Sequence, residues 1–430
     1  MAFMDKDFIL ENDVAKKLFH DYAEKEPIFD FHNHLSPKDI AEHRPFHNLY
    51  ELWLEADHYK WRSMRGAGVD EKYITGDAEP YEKYEAFAKI FPKLVGSPVY
   101  HWTLLELQRY FGITELLNEE NAKAIWDKTV EQMKDDSFTS VHILEMVKVQ
   151  ECCTTDDPID TLEYHKAIKN DETIKFNVRP SFRPDKYLDV NSATWKQDCE
   201  ALCNKYQTSD LKQALGKALE FFVENGCICS DHCFAKFEYQ NETFKDLILY
   251  LGKKYKELGV VMQLHLGPIR NNSYKLMSTI GRDAGGDSIG YTTDPQMLSN
   301  FFQDLEKQDS LPRTIVYNLN PADNEMLATM AGNYSPNMQF GAAWWFNDTK
   351  RGIENQIDNL FECYMLSKSV GMLTDSRSFT SFVRHEYYRR ILCNKISKLV
   401  MNGEYPNDIE TLGNIVKNIC YQNAEEFFKK

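Results

Sequence analysis

The residues best equipped for chemistry lie in Asp30-Phe31-His32-Asn33-His34, where an apolar run beginning at Ile28 gives way to polar groups. If residues 28–35 form a strand, positions i and i+2 project to the same face, and His32 and His34 converge on one point. On a helix the same spacing would splay the two rings by ~200°. Paired imidazoles suit Zn2+ or a similar divalent ion, which needs a further ligand and an open position for catalysis. Two histidines hydrogen-bonded to neighbouring carbonyls would show the same pattern, so the pair needs support from elsewhere in the chain.

That support comes from polar residues at the ends of other apolar runs. The third run supplies Arg179 and Arg183, the fourth Asp231 and His232, and the fifth His265, followed by Gly267 and Arg270. The sixth supplies Asn318 and Asn320, the seventh Trp344 and Trp345, and the eighth Asp375 and Arg377. Asp375 is read as the third metal ligand, because a carboxylate on a last strand neighbours the first when a sheet closes on itself. Arg377, two residues on, can reach a substrate anion or polarise an oxygen; a structural Asp375–Arg377 pair is the alternative. Arg183, in Ser181-Phe-Arg-Pro-Asp185, suits a bidentate clamp on a carboxylate, with a loop salt bridge to Asp185 as its alternative. Asp231, His232 and the asparagines are read as satisfied structural groups.

The elements that would position these residues follow from the hydrophobic pattern. Strand-like runs occupy 28–35, 146–155, 173–182, 226–231, 260–266, 314–319, 338–345 and 371–376. Amphipathic stretches of helical length fill 194–225, 243–258, 294–309, 350–369 and 378–402. Short continuous apolar strands alternating with helices indicate parallel strands buried on both faces. Eight of them predict an α/β fold, a (β/α)8 TIM-type barrel with its polar rim at the C-terminal strand ends. Residues 36–145 break the rhythm; rich in aromatic and charged residues, they read as a helical insertion after strand 1. No Ser/Gly/Pro-rich linker separates it, so residues 1–430 read as a single elaborated domain.

Composition narrows the partners. With 50 Lys+Arg against 66 Asp+Glu the net charge is −16, and such a chain lacks the cationic footprint that nucleic acid or an anionic membrane demands. A few local arginines can still capture a small acidic metabolite. No stretch approaches the ~18 apolar residues of a membrane helix, and the N-terminus shows no secretory pattern. Ten cysteines, two of them adjacent at 152 and 153, read as reduced core thiols, an expectation that goes with a cytoplasmic location. Cys227, Cys229, His232 and Cys233 lack the second ligand pair of a zinc knuckle. Gly281–Gly290 lacks the GxxxxGK[ST] of a phosphate loop and reads as a mobile lid over the mouth. The aromatic stretch 49–61 reads mostly as core, with His58 and Tyr59 as polar tips facing the mouth.

Taken together, DFHNHL (30–35), ELWLEADHYKWRSMR (51–65), FNVRPSFRPDK (176–186), QLHLGPIRNN (263–272), GRDAGGDSIG (281–290), AAWWFND (342–348) and LTDSRSF (373–379) resemble the uronate (glucuronate) isomerase family, an outlying branch of the amidohydrolase superfamily. The resemblance implies reversible aldose–ketose isomerisation of hexuronates, D-glucuronate to D-fructuronate and D-galacturonate to D-tagaturonate. It implies one divalent metal ion, with zinc the expected ion, held by His32, His34 and Asp375. By the same analogy Tyr59, Arg183 and Arg377 surround the open-chain sugar acid, with His58 and one of Trp344 and Trp345 nearby. Asp375, Arg377, Tyr59 and His58 are the catalytic candidates; Arg183, Trp344, Trp345, His265 and Arg270 are the substrate-binding ones. The fourth strand offers no Lys to bridge two metals and the sixth carries Asn318, which implies a mononuclear site. The resemblance leaves room for a homo-oligomer. Two other readings stay open on the residues alone: a metal-dependent hydrolase acting on an acidic substrate, and a non-catalytic sugar-acid binding protein with a structural metal.

Overall fold

A computed structural model describes residues 3–135 and 137–429. Its strands, in chain order, are β1 (Ile28–Asp30), β2 (Val149–Cys153), β3 (Asn177–Arg179), β4 (His232–Phe234), β5 (Met262–Leu266), β6 (Pro268–Ile269), β7 (Ser288–Ile289), β8 (Thr314–Asn318) and β9 (Met338–Phe340). Strands β1-β2-β3 form one parallel arc and β4-β5-β8-β9 another, while β6 and β7 pair as a short antiparallel ribbon. Single parallel bridges, Asp156 with Phe182, Phe182 with Ser230 and Cys229 with Val261, span the interval between the two arcs. The expected fourth strand at 226–231 is thus reduced to isolated bridges, and its ladder begins only at His232.

The architecture is α/β with parallel strands, as expected, but among the described residues the arcs do not close into one continuous eight-stranded sheet. The eighth predicted strand, 371–376, is not a strand. Gly371 (φ 79°) and Asp375 (φ 46°) adopt left-handed backbone, which an extended strand cannot contain. The segment nevertheless lies against the first strand's exit: Asp375 N–H donates to the His32 carbonyl at 3.1 Å, and His34 N–H donates to the Ser376 carbonyl at 2.9 Å.

Side chains pack in two layers. A smaller inner cluster gathers Phe29, Phe31, Cys153, Cys229, Val261, Ile315, Tyr317, Ala342, Trp344 and Leu373, with Phe427 and Phe428 of the last helix beneath them. The larger cluster lies between the strands and the surrounding helices, where Leu264, Leu266, Val316 and Phe340 meet Leu251, Phe301, Leu327 and Ile357. The period-2 alternation of β5 and β8 produces this split. Gly341 is required by it, since a Cβ there would stand 2.2 Å from the Tyr317 ring.

Between β1 and β2 the described residues form helices with no named strand among them. Pro80–Ile90 and Pro98–Phe111 each open on a proline at the first turn, and Gly112 ends the latter in left-handed conformation, both standard helix punctuation. The expected helix 194–225 is two helices, Trp195–Lys205 and Leu211–Glu224, with Thr208-Ser209-Asp210 between them and Asp210 capping the second. No helix among the described residues is long and apolar enough to cross a membrane.

Candidate active site

The first strand stops at Asp30 because that carboxylate is committed to holding its neighbours. Asp30 Oδ2 accepts from Thr374 N–H at 2.9 Å and lies 2.9 Å from His385 Nε2; Oδ1 accepts from the Asn33 side chain at 3.0 Å. These bonds pin segment 31–34 beside 374–376 and bring the two predicted imidazoles to the predicted carboxylate. His32 Nε2 and His34 Nε2 each lie 3.1 Å from Asp375 Oδ1. The indole N–H of Trp344 donates to the other oxygen, Oδ2, at 2.7 Å, which fixes the carboxylate plane. The left-handed backbone of Asp375 is strain of the kind that functional sites retain.

One ligand atom from each of His32, His34 and Asp375 falls within 4.8 Å of the other two. Two imidazole nitrogens and one carboxylate oxygen form a donor set that fits Zn2+ or a similar divalent ion. A second group, His32, Asp231 and His265, meets the same distance criterion. There, however, Asp231 already pairs with the Arg183 guanidinium at 3.0 Å and with His265 Nδ1 at 2.9 Å, so a fixed cation occupies the position facing it.

Burial and charge set the protonation states. Burial would push His32 down, but the Asp231 and Asp375 carboxylates outweigh it and raise its pKa. His34 is lowered to about 4, first by burial. Burial opposes ionisation of Asp375, yet the bonds to His32 and His34 hold it well below the usual carboxylate range. His58 is lowered to about 4 by burial and then by the adjacent Arg377, leaving a neutral imidazole that accepts a hydrogen bond from Arg377 Nη1 at 2.7 Å.

The predicted residues gather unevenly. A cavity of about 60 Å³ is lined by His34, Asp57, His58, Tyr59, Arg270, Trp345, Asp375 and Arg377. Helix His58–Gly66 brings His58 and Tyr59 there because Asp57 caps it, accepting from the N–H groups of Tyr59 and Lys60. The Tyr59 hydroxyl is buried with no hydrogen-bond partner among the described residues. Arg270 lies over the Trp345 ring at 4.9 Å. The segment between β6 and β7 covers this mouth: Arg65 donates to the Ala284 carbonyl, Arg62 donates to the Asp287 carbonyl at 3.0 Å, and Asp283 lies 3.9 Å from Arg377.

Arg183, His265 and Trp344 sit behind that lining. Arg183 Nε donates to Asp185 at 3.0 Å, the loop pair foreseen as its alternative, besides its contact with Asp231. His265 stacks on Tyr317 at 4.2 Å and against His32 at 4.5 Å. His232, near Tyr255 Oη at 3.1 Å, and Asn318, which donates to Asn324, are structural groups as expected. Asp231, grouped with them on sequence, instead links Arg183, His265 and the His32 side of the cluster; its position after an apolar run was the available signal. Asp30 was marked only by standing in the same motif as the two histidines. A larger cavity, about 320 Å³ and lined by Asn318, Asn347, Arg351 and Gln356, lies beyond Phe346 and contains no acid or histidine.

The chain is similar to known proteins along its whole length. The glucuronate isomerase family model matches residues 1–248 and 238–428. A uronate isomerase of Clostridium perfringens is 46% identical, covering 100% of this chain and 99% of its own length. One of Caldanaerobacter subterraneus is 48% identical, covering 99% of each. The crystal structure of a uronate isomerase from Thermotoga maritima superposes with a TM-score of 0.92 at 33% identity over 100% of both chains. That of a glucuronate isomerase from Caulobacter crescentus, at 23% identity, shares the fold with a TM-score of 0.90 over 99% of this chain and 97% of its own. Full-length matches to the family model, to curated relatives and in fold place this chain in the glucuronate isomerase family.

Proposed function

We propose that the protein interconverts hexuronates as an aldose–ketose isomerase, D-glucuronate with D-fructuronate and D-galacturonate with D-tagaturonate. The convergence of His32, His34 and Asp375 beside Tyr59, Arg377 and Arg270 carries this reading. It displaces the hydrolase and the simple binding protein, because family membership and a rim of proton-handling groups both favour isomerisation. His32, His34 and Asp375 would hold one divalent ion, zinc by its donor set. When bound, that ion supplies Lewis-acid polarisation of the sugar's carbonyl and hydroxyl oxygens.

The chain's own groups then divide the proton work. Isomerisation moves a proton between C2 and C1 while hydrogens on O1 and O2 are redistributed. Asp375, kept ionised and oriented by Trp344, takes the C2 proton and returns it at C1. Arg377, its guanidinium steadied by neutral His58, lies where charge develops on the enediolate oxygen. The unpartnered Tyr59 hydroxyl, buried at the cavity wall, exchanges a proton with a substrate oxygen. Arg270 is the first clamp for the sugar carboxylate because its guanidinium lines the cavity; Arg183 supports it from behind, with its own charge shared between Asp185 and Asp231.

A cavity of about 60 Å³ is well below the roughly 300–1,000 Å³ usual for small-molecule sites. Segment 281–290, whose Ala284 and Asp287 carbonyls accept from Arg65 and Arg62 over this mouth, is the lid that would open to admit the sugar. The two strand arcs, the inner cluster and the seam at 374–376 support a (β/α)8 barrel in one elaborated domain as the frame. Incubating metal-replete protein with each hexuronate in D2O and following ketose by NMR tests the function. Ketose formation with deuterium entering the transferred position is expected; no ketose from either sugar overturns the reading.

A further inference from the structure

Beneath the site lies a cluster of charges that the reaction as described does not use. Arg384, on helix Val383–Met401, is 1% exposed. Its Nη1 donates to the Thr374 carbonyl at 3.1 Å and stands 3.6 Å from Asp348 Oδ2. Its guanidinium carbon lies 4.0 Å from the Trp102 ring centre and 4.5 Å from that of Tyr59. The two rings also meet edge to face at 5.5 Å. One planar cation thus touches the residue before Asp375, the loop after Trp345 and the face of Tyr59. Lys60 completes the cluster, bonded to the Asp57 cap at 2.9 Å and lying 3.5 Å from Glu106, which accepts from Thr380 at 3.1 Å.

A buried ionic cluster is a poor means of gaining stability, since apolar side chains of similar volume often serve as well or better. The pairing here is also incomplete: among the described residues Arg384 Nε and both Asp348 carboxylate oxygens have no hydrogen-bond partner. A rigid guanidinium has one capacity that Leu or Met lacks, which is to stack on rings while donating in its own plane. We propose that Arg384 is a positioning residue for the isomerisation: it fixes the tilt of the Tyr59 ring and the Thr374 carbonyl, and so the spacing between the Tyr59 hydroxyl and the Asp375 carboxylate. This rests on the reading above that Tyr59 and Asp375 both handle protons.

The test uses metal-replete full-length enzyme with D-glucuronate and compares Arg384→Lys, Tyr59→Phe and the double variant, with metal content and melting temperature measured alongside. Arg384→Lys should lower kcat about 10²-fold, the usual scale for misplacing a reacting group by an ångström. KM should move less than about threefold, with metal stoichiometry unchanged. In the Tyr59→Phe background the same substitution should change kcat by less than about threefold, because the two residues act as one unit. Equal losses in both backgrounds would overturn the proposal while leaving the role of Tyr59 intact. Full kcat in Tyr59→Phe alone would instead overturn the role of Tyr59, and the proposal with it. If Arg384→Lys does not fold, Trp102→Phe trims the second ring against which the guanidinium packs. It should cost severalfold in kcat only when Tyr59 is present, and unchanged kcat would count against the proposal.

Discussion

Strands β5 and β8 and the seam between 30–34 and 373–377 are built from parallel neighbours, yet they differ in almost every physical respect. From Met262 with Thr314 to Leu266 with Asn318, five successive residue pairs keep register, and all are buried. The seam is held by two backbone hydrogen bonds, a left-handed aspartate and side chains that bond across it. A regular ladder satisfies its own backbone and leaves side chains free to pack. An irregular seam leaves backbone and side chains to satisfy one another, which is where charged groups can be held in strained, close array. On the function proposed above, the ladder carries stability and the seam carries chemistry.

The largest expected effect breaks the seam. His32→Ala with His34→Ala should abolish stoichiometric metal binding and turnover while leaving far-UV circular dichroism unchanged; retained metal by elemental analysis would refute the ligand assignment. Next comes the ladder. Leu264, fully buried on the outer face of β5, should cost about 2–5 kcal/mol of stability when cut to Ala, with kcat of the folded fraction unaltered. A fall in kcat without loss of stability would erase the distinction drawn between the two regions.

Trp344→Phe then asks whether an orienting bond belongs to the seam's chemistry. It keeps most of the ring and removes the donor to Asp375 Oδ2, so a loss of about 10–100-fold in metal affinity or kcat is expected. Wild-type values for both would show that Asp375 needs no such partner.

The smallest effect concerns Asp156, at the junction between the two arcs. Burial raises its pKa to about 7 despite hydrogen bonds from Thr154 and Ser181. The folded state therefore holds a proton that the unfolded chain releases near pH 4, and stability falls as pH rises toward and through 7. Between pH 6 and 8 this amounts to ~1 kcal/mol. Asp156→Asn should flatten the decline in melting temperature over that interval, and an unchanged slope would remove Asp156 as its source.

Much of the site was legible because its residues sit at positions that local rules mark. The i, i+2 histidines, Asp375 and Arg377 in one short motif, and His58-Tyr59 behind a capping aspartate all stand out in one dimension. The helical character of 36–145 and the thiol character of the cysteines were equally readable, and all ten are free. What stayed hidden depends on which side chain another already occupies. Trp344, grouped with the substrate on sequence, also bonds through its indole to Asp375; Arg183, read as a carboxylate clamp with a salt bridge to Asp185 as the alternative, is engaged by both Asp185 and Asp231. Eight apolar runs were expected to form strands, and left-handed backbone at Gly371 and Asp375 makes the last of them a loop.

Alone, the amino-acid order determined the alternation of elements and the family's motifs, and marked His32, His34 and Asp375 as candidate ligands, because periodicity and spacing act over a few residues. Only the folded chain decided that Asp30, from the first strand, and Arg384, from a helix more than three hundred residues later, both anchor Thr374. Such bonds join groups far apart in the chain, and their partners are chosen by packing and by the cost of leaving a buried charge or donor unmatched, which no local pattern encodes.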